Sequence, residues 1–205
     1  MNKPKSIILL SGGLDSTVSA AIAVEKTKVL FALTFDYGQR AARMEIQASS
    51  KISKALEIKL KIAKLPFFKE FKKCRLLRFS QLPIINNLSS VWVPNRNALF
   101  INVAACFAEY YGAQLIITGF NAEEAQEFPD NTPEFIQAIN RSLKLSTLKN
   151  VRVTSYVSKY TKKEIYRIGL NIKAPMQHIY SCYLGSKQMC GKCMSCMKLK
   201  KAMIY

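Results

Sequence analysis

The sequence predicts an α/β fold, a doubly wound parallel sheet with a small cysteine-bearing subdomain at its C-terminal end. Apolar segments of strand length alternate with helix-length segments, the order typical of a parallel sheet with right-handed crossovers. The first apolar segment leads into a glycine-rich turn, and four of the six cysteines crowd between positions 182 and 196. We therefore expect an α/β domain over residues 1–174 and a tail over residues 175–205 packed on the same unit.

Strands and helices alternate in the first half of the chain. The segment 6–10 is continuously apolar, as expected for a strand buried on both faces. A helix follows the glycine-rich turn, because Val18, Ala21, Ile22 and Glu25 recur at helical spacing. The next expected elements are a strand over 28–35, a helix over 44–56 and a strand over 58–63. Residues 64–93 contain Pro66, Pro83 and Asn86-Asn87, and they predict an irregular excursion over the sheet edge.

The second half repeats the alternation. A long helix is expected over 96–111, then a strand over 114–118 and another over 151–156. The helix is expected to place on its apolar side Leu99, Val103, Cys106, Phe107 and Tyr110. Thr132-Pro133-Glu134 combines a hydroxyl cap, a proline and an acidic side chain, and it predicts a helix that runs to about Lys144. Thr161 to Glu164 forms a capping box for a helix expected to stop at Gly169.

Composition and charge limit the classes of function. The chain has 205 residues, 49% of them hydrophobic, which suits one globular domain with a full core. No apolar stretch approaches the roughly 18 residues of a membrane span, and the basic start, residues 1–5, lacks a signal-peptide core. We expect a cytoplasmic protein. The net charge of +18 favours anionic partners such as ATP, a carboxylate or RNA, but the basic residues are spread out and simple solubilisation is an equal alternative.

The glycine-rich turn predicts a phosphate-binding loop. Two glycines allow close backbone approach, and hydroxyls and a helix N-terminus add hydrogen-bond donors and positive potential. The motif Ser-Gly-Gly-Leu-Asp-Ser carries no following lysine, so it is not a Walker loop. It resembles the loop of the PP-loop ATP pyrophosphatase superfamily, which implies that it holds the β and γ phosphates of ATP, with Asp15 organising Mg²⁺. The expected ATP-binding residues are Leu10, Ser11, Gly12, Gly13, Leu14, Asp15, Ser16, Thr17, Val18, Ser19 and Ala20.

The clustered cysteines favour a metal over disulfides, because the chain shows no secretory signal. Cys182, Cys190, Cys193 and Cys196 supply four thiolates, enough for a closed tetrahedral Zn²⁺ site with a structural role. A [4Fe–4S] cluster is the main alternative. His178 is a possible substitute ligand, although a packed or surface histidine is the commoner case. Cys106 is expected in the core, and Cys74 is either an incidental thiol or one with a lowered pKa.

Five blocks spread along the chain resemble the 7-cyano-7-deazaguanine synthase family of queuosine biosynthesis. They are residues 10–17, 33–40 (Leu-Thr-Phe-Asp-Tyr-Gly-Gln-Arg), 93–97 (Val-Pro-Asn-Arg-Asn), 119–135 with Asn-Ala-Glu and Phe-Pro-Asp, and 181–196 with Cys-Gly-Lys-Cys-Met-Ser-Cys. The resemblance implies a ligase that converts 7-carboxy-7-deazaguanine and ammonia to the nitrile through adenylated intermediates. The departures are Ala41-Ala42 after Gln39-Arg40 and Ala125-Gln126-Glu127 before Phe128.

The resemblance also suggests which residues contact the substrate or nucleotide. They lie after predicted strands, at the edge where ligands of such sheets bind, or at a helix start. A carboxylate among them suits the N1-H and amino group of a guanine-like ring. Purely structural roles in turns and caps are an equal alternative for each of them. The candidates are Tyr37, Gln39, Arg40, Arg96, Asn97, Asn121, Glu123 and Asp130.

Two other functions compete with this interpretation. A tRNA-modifying enzyme of the same superfamily, such as a thiolase, is favoured by the positive charge, but no RNA-binding domain or second cysteine pair is apparent. A zinc-ribbon nucleic-acid binder needs no pyrophosphate loop. We expect a homodimer, no membrane association, no direct tRNA binding and free ammonia as the nitrogen source, since no glutaminase domain is recognised.

Overall fold

The computed structural model describes residues 3–80, 83–84 and 87–204, so the expectations for Met1, Asn2 and Asn86 lie outside the described residues. Its centre is a five-stranded sheet in the order β3-β2-β1-β4-β5, with every pair parallel. The strands are β1 (Lys5–Leu9), β2 (Lys28–Asp36), β3 (Leu60–Lys64), β4 (Leu115–Thr118) and β5 (Arg152–Ser155). The predicted fold class is confirmed.

Helices connect and cover these strands. They are α1 (Leu14–Lys26), α2 (Ala42–Ala55), α3 (Leu88–Val91), α4 (Arg96–Tyr111), α5 (Ala122–Glu127), α6 (Pro133–Ser146), α7 (Lys162–Asn171) and α8 (Met194–Met203). The expected caps are present: the Thr132 hydroxyl accepts from the amide of Phe135, and Thr161 and Glu164 form a reciprocal capping box. These caps satisfy amides that have no partner inside the helix.

The strands at the centre of the sheet are buried on both faces. Successive side chains along a strand point to opposite faces, so neighbouring residues pack in different clusters. Ile7 of β1 and Ile116 of β4 pack in the cluster that includes α4, whereas Ile8 and Ile117 pack in the cluster that includes α2. All four side chains are at most 1% exposed. The two clusters enclose the sheet between helical layers.

The strand order reverses between β1 and β4. The chain runs outward from β1 to β2 and β3, then returns to place β4 and β5 on the other side. The connections that leave β1 and β4 therefore diverge to opposite faces, and a crevice opens outside their carboxyl ends. The glycine-rich turn, residues 11–13, lies at this crevice between β1 and α1.

The predicted packing of α4 is wrong at Cys106. Leu99, Val103 and Phe107 pack partly buried against the core as expected, but Cys106 is exposed. The fully buried positions of α4 are Asn97, Ile101, Ala104, Ala105 and Ala108. Tyr110, also expected on the apolar side, is 81% exposed. Small alanine side chains let the helix approach the sheet closely. A prediction based on the spacing of large apolar residues does not identify such a face.

The predicted end of α7 at Gly169 is also wrong, because the helix continues to Asn171. A side chain at Gly169 would lie 2.8 Å from both the Met176 sulfur and a Val18 methyl. This glycine therefore permits close packing of α7 on α1 and does not terminate the helix.

The excursion between β3 and α4 contains a 3₁₀ helix, Pro66–Glu70, and the short α3. An isolated bridge joins Leu77 to Gln39, and Phe68 and Leu77 are at most 1% exposed. The described part of this segment is thus packed on the sheet, and its end, Val91 to Val93, reaches the central crevice.

The tail beyond residue 174 packs on the α/β layers. Cys182, Cys193 and Cys196 share a buried cluster with Leu10 and Ile52, and α8 packs against α7. None of the helices in the described residues has the length and apolar character that crossing a membrane requires.

Stability is expected to depend on the centre of the sheet. Ile117→Ala removes a side chain that is 0% exposed and should lower the free energy of unfolding by about 2–5 kcal/mol. Leu145→Ala, at a position that is 89% exposed, is the matched control and should change it by less than about 0.5 kcal/mol. Urea denaturation followed by circular dichroism measures both, and equal effects would contradict this packing.

Candidate active site

A cavity of about 280 Å³ occupies the crevice at the carboxyl ends of β1, β2 and β4. One end is formed by the glycine-rich turn and the start of α1. The other end lies among aromatic side chains from the segments before α4 and after α5. The tail contributes Tyr180, Ser181, Tyr183, Ser195 and Leu199. Residues from every part of the chain thus meet in one cavity.

The turn is held by hydrogen bonds among its own hydroxyls and amides. The Ser16 hydroxyl donates to the Gly13 carbonyl at 3.2 Å and accepts from the Ser11 amide at 3.3 Å. The Thr17 hydroxyl donates to the same Gly13 carbonyl at 2.7 Å. Gly12 has φ +82°, a left-handed conformation that favours glycine, and a Cβ there would lie 2.8 Å from Ala48. The loop is therefore fixed against α2 before any ligand arrives.

Six of the expected ATP-binding residues border the cavity: Leu10, Ser11, Gly13, Leu14, Asp15 and Ser16. The other five, Gly12, Thr17, Val18, Ser19 and Ala20, are buried and do not border it. Ser19 donates to the Thr118 carbonyl at 2.7 Å, which ties α1 to β4. Thr17, Val18, Ser19 and Ala20 are therefore buried in α1 behind the loop, and Gly12 is the buried residue of the loop itself.

A buried lysine enters the site from α7. The Lys162 ammonium lies 2.5 Å from Asp15 Oδ2 and 2.9 Å from Glu124 Oε1, and all three residues border the cavity. The Lys162 side chain is 10% exposed. Burial alone would lower the pKa of Lys162, but the two carboxylates outweigh it and raise that pKa above the usual value. The ammonium is therefore charged at neutral pH.

The two carboxylates respond differently to their surroundings. Burial raises the pKa of Asp15 above its usual value despite the neighbouring lysine. Burial also acts to raise the pKa of Glu124, but the charge and hydrogen bond of Lys162, together with the charges of Lys198 and Arg96, lower that pKa below its usual value. The ion pair of Lys162 with Glu124 is therefore the more firmly ionised of the two contacts.

Asp15 also presents a free acceptor. Its Oδ1 atom is buried and has no hydrogen-bond partner among the described residues. Carboxylate oxygens are ligands that Mg²⁺ prefers, usually together with substrate phosphates. The residues present thus fit a divalent cation at Asp15.

The aromatic end of the cavity contains a second buried charge. The Arg96 guanidinium donates to the Tyr37 hydroxyl at 3.2 Å and lies 6.0 Å from the Phe100 ring centroid. Burial raises the pKa of Tyr37, so its hydroxyl keeps its proton. Asn97 donates to the backbone carbonyl of Asp130 at 3.4 Å. Tyr37, Arg96, Asn97 and Asp130 all border the cavity, as the sequence interpretation requires.

The remaining candidates do not border the cavity. Gln39 is buried and donates to the Phe35 carbonyl and the Glu45 carboxylate, while Arg40 donates to the Ser80 carbonyl. Asn121 accepts from the Glu124 amide as the cap of α5, and Glu123 accepts from the Lys162 amide. These contacts hold the segments on which cavity residues lie.

Several cavity residues were not singled out from the sequence. Lys162 and Glu124 form the ion pair beside the loop, and Trp92 and Phe128 line the aromatic end. Lys162 is the first residue of α7, directly after a recognised capping box. The sequence did offer one signal for Lys162, because it starts a helix that follows a strand and so lies near the carboxyl edge of the sheet. The sequence does not show which strand lies next to that one, and therefore whether Lys162 reaches the loop.

The four tail cysteines form a metal-binding cluster. Their sulfur atoms lie within 4.8 Å of one another, and this group of potential ligands in the described residues does not include His178. Backbone amides of Lys192 and Cys193 donate to the Cys190 sulfur and lower the pKa of Cys190 to about 6. This favours the thiolate form of Cys190, which is the form that binds metals, whereas burial raises the pKa of Cys193 and of Cys196.

Of the two alternatives for Cys74, the thiol with a lowered pKa is wrong. The side chain is half-buried against the core, and this burial raises the pKa of its thiol. The basic residues nearby in sequence do not offset that effect.

Comparison with known proteins identifies the family. The model of the family described as "Queuosine biosynthesis protein QueC" matches residues 5–204. The chain belongs to this family. It is therefore an enzyme of the PP-loop ATP pyrophosphatase type, as its glycine-rich loop and cavity indicate.

Named relatives cover almost the whole chain. A 7-cyano-7-deazaguanine synthase of Carboxydothermus hydrogenoformans is 48% identical over 97% of both chains. One of Pelotomaculum thermopropionicum is 44% identical over 97% of this chain and 96% of its own. The chain thus spans nearly the whole length of these two relatives.

Solved structures share its fold. A U34-tRNA thiolase NcsA from Methanococcus maripaludis, solved with its [4Fe-4S] cluster, has a TM-score of 0.57 at 17% identity, over 98% of this chain and 65% of that one. A 4-thiouridine synthetase in complex with RNA and ATP has a TM-score of 0.55 at 22% identity, over 97% and 50%. At such identities the likeness shows the fold alone.

If the cysteine cluster holds a metal ion, the metal content of the purified protein should depend on each of the four cysteines. Cys196→Ser should remove most bound metal from the purified protein, because three thiolates leave the coordination shell open. Cys106→Ser changes an exposed cysteine outside the cluster and should retain the metal. Inductively coupled plasma mass spectrometry measures both variants, and equal metal content would refute this ligand set.

Proposed function

We propose that the protein is the ATP-dependent ligase that converts 7-carboxy-7-deazaguanine and ammonia to 7-cyano-7-deazaguanine in queuosine biosynthesis. The observation that carries the proposal is the cavity itself, which joins a pyrophosphate loop to a wall bearing Arg96 and Asp130. The names of its relatives support the same reaction. One cavity with both ends can hold ATP and a flat acidic substrate together.

The reaction begins with activation of a poor electrophile. A substrate carboxylate oxygen attacks the α phosphorus of ATP, pyrophosphate leaves, and the acyl adenylate acquires a good leaving group. Ammonia then displaces AMP and loses a proton, which gives the amide. A second adenylation on the amide oxygen, followed by loss of AMP and the nitrogen protons, gives the nitrile. Because one loop positions ATP, the same site can carry out both adenylations.

Lys162 supplies the cation that the loop sequence lacks. It borders the cavity beside Asp15 and Ser16, where the phosphates would lie. With both carboxylates ionised, Asp15, Glu124 and Lys162 carry one net negative charge, so this group of side chains would attract a Mg²⁺ ion at Asp15. When ATP is bound, Mg²⁺ supplies charge compensation at the phosphates. Lys162 stabilises the charge that develops on the leaving pyrophosphate.

The deazaguanine and the nucleotide are recognised at the aromatic end of the cavity. An ionised Asp130 accepts hydrogen bonds from the N1-H and amino group of the deazaguanine, and Asn97 holds the backbone of Asp130 in place. Tyr37 and Arg96 contact the substrate or the nucleotide as a hydrogen-bonded pair. Gln39, Arg40, Asn121 and Glu123 act indirectly, by positioning the segments that carry these groups.

The metal of the cysteine cluster is zinc in this proposal. A tetrahedral zinc with bonds of about 2.3 Å separates its sulfur ligands by about 3.8 Å. The Cys190 and Cys196 sulfurs are 3.9 Å apart. In an iron–sulfur cube each thiolate binds its own iron, which holds the sulfurs farther apart. The short separation therefore supports a single ion with a structural role.

The remaining expectations belong to the same proposal. Free ammonia is the nitrogen donor, a homodimer is the assembly, and the enzyme acts in the cytoplasm on a small molecule without binding tRNA directly. Size-exclusion chromatography with light scattering tests the assembly.

The role of Lys162 predicts a selective loss of turnover. Lys162→Met should reduce the rate of AMP formation by about 10²–10³-fold, as loss of one preorganised transition-state donor does in other enzymes. Lys163→Met changes the exposed neighbour and should stay within about twofold of the wild type. The rates are measured by chromatography, with melting temperatures to exclude unfolding. A loss of less than threefold in folded Lys162→Met would count against this role.

The reaction itself is tested with metal-replete protein, ATP, Mg²⁺, ammonium and 7-carboxy-7-deazaguanine. Mass spectrometry should detect the nitrile and AMP with the wild type, and neither with Asp15→Asn, which loses the carboxylate charge beside Lys162. If folded wild type yields neither product, the substrate assignment fails, and tRNA becomes the next acceptor to test.

A further inference from the structure

Two aromatic rings at the far end of the cavity are not part of the core. Trp92 and Phe128 are half-buried and border the cavity. Their planes are nearly parallel, at 10°, with centroids 6.1 Å apart. Neither ring belongs to any of the three buried hydrophobic clusters among the described residues. Core packing therefore does not account for their position.

We propose that Trp92 and Phe128 form a stacking subsite for the deazaguanine ring, distinct from the place of the adenine of ATP. This inference rests on the proposed function and names the part of the cavity that takes the acceptor. A third ring between the two would need roughly 7 Å, twice the contact distance of carbon atoms. The substrate ring therefore stacks on the side of the pair that faces the cavity.

The groups beside the rings favour a guanine-like ring over adenine. Trp92 lies on the segment that carries Arg96 and Asn97, and Phe128 lies two residues before Asp130. A carboxylate next to the stacking surface accepts from the adjacent N1-H and amino donors of a guanine-like edge. The same edge of adenine places an acceptor nitrogen beside the amino group, which a carboxylate would repel.

The phosphate loop supports the same division of the cavity. The end of β2, at Leu33, Thr34 and Phe35, borders the cavity, and so do Phe128, Asp130 and Asn131 from the segment that follows α5. The cavity is therefore lined by two separate segments, as two flat ligands that both reach the loop require. Phe128 of the aromatic pair and the Asp130 carboxylate, which would bind the guanine-like edge, lie on the same segment.

The test uses Trp92 as its own probe, because it is the only tryptophan of the chain. Titration of the wild type with 7-carboxy-7-deazaguanine, without ATP, should quench its fluorescence in a saturable way, whereas ATP with Mg²⁺ alone should not. Saturable quenching by ATP alone would overturn the assignment of the subsite to the acceptor.

Steady-state kinetics supply the second readout. Trp92→Leu should raise the KM for 7-carboxy-7-deazaguanine by about 5- to 150-fold, the range of base–aromatic stacking, with the KM for ATP within about twofold. Phe128→Leu should act in the same direction, and Trp92→Phe should retain most of the affinity. Phe67→Leu, which removes a half-exposed ring that does not border the cavity, is the matched control.

The outcomes separate this inference from the proposed function. If the wild type forms the nitrile but folded Trp92→Leu keeps the KM for the acceptor, the stacking subsite is refuted and the function stands. If the wild type forms no nitrile but 7-carboxy-7-deazaguanine still quenches Trp92, the proposed reaction fails and the ring-binding subsite is supported. Absence of both nitrile and quenching overturns both.

Discussion

The close approach of β4 to the start of α1 determines the geometry of the whole site. A side chain at Gly119, just after β4, would lie 2.6 Å from the backbone nitrogen of Ser16. Only a glycine lets the strand end pass so near the helix N-terminus. This contact sits where the strand order reverses, so it fixes the crevice, the direction of the loop amides and the path of the chain into α5.

Charge balance in the site depends on residues far apart in sequence. Asp15 follows β1, Glu124 lies on α5 and Lys162 starts α7, yet all three converge beside the loop. Burial of a lone charge is costly, and each of these groups is tolerated because of the others. At the aromatic end, burial raises the pKa of Asp130, and the nearby charge of Arg96 opposes that rise without cancelling it.

The tail links the metal-binding cluster to the cavity. The Tyr180 amide donates to the Gly12 carbonyl at 2.8 Å, so the segment before the cysteines is tied to the glycine-rich loop. Ser181 and Tyr183 flank Cys182, and Ser195 precedes Cys196, and all three border the cavity. A metal that holds the cysteines together therefore also holds one wall of the site, although its ligands need not contact any substrate.

The sequence by itself determined the α/β class, the loop, the caps and the cysteine cluster, because each is a local pattern whose physics needs only neighbouring residues. It placed α4 at its observed bounds but not the alanines of its fully buried face, because small side chains that allow close packing on the sheet leave no pattern of large apolar residues. Only the tertiary structure decided that Lys162 lies beside the glycine-rich loop, paired with Asp15 and Glu124, and that Trp92 meets Phe128. Those contacts arise from strand order, which brings together segments that no sequence spacing relates.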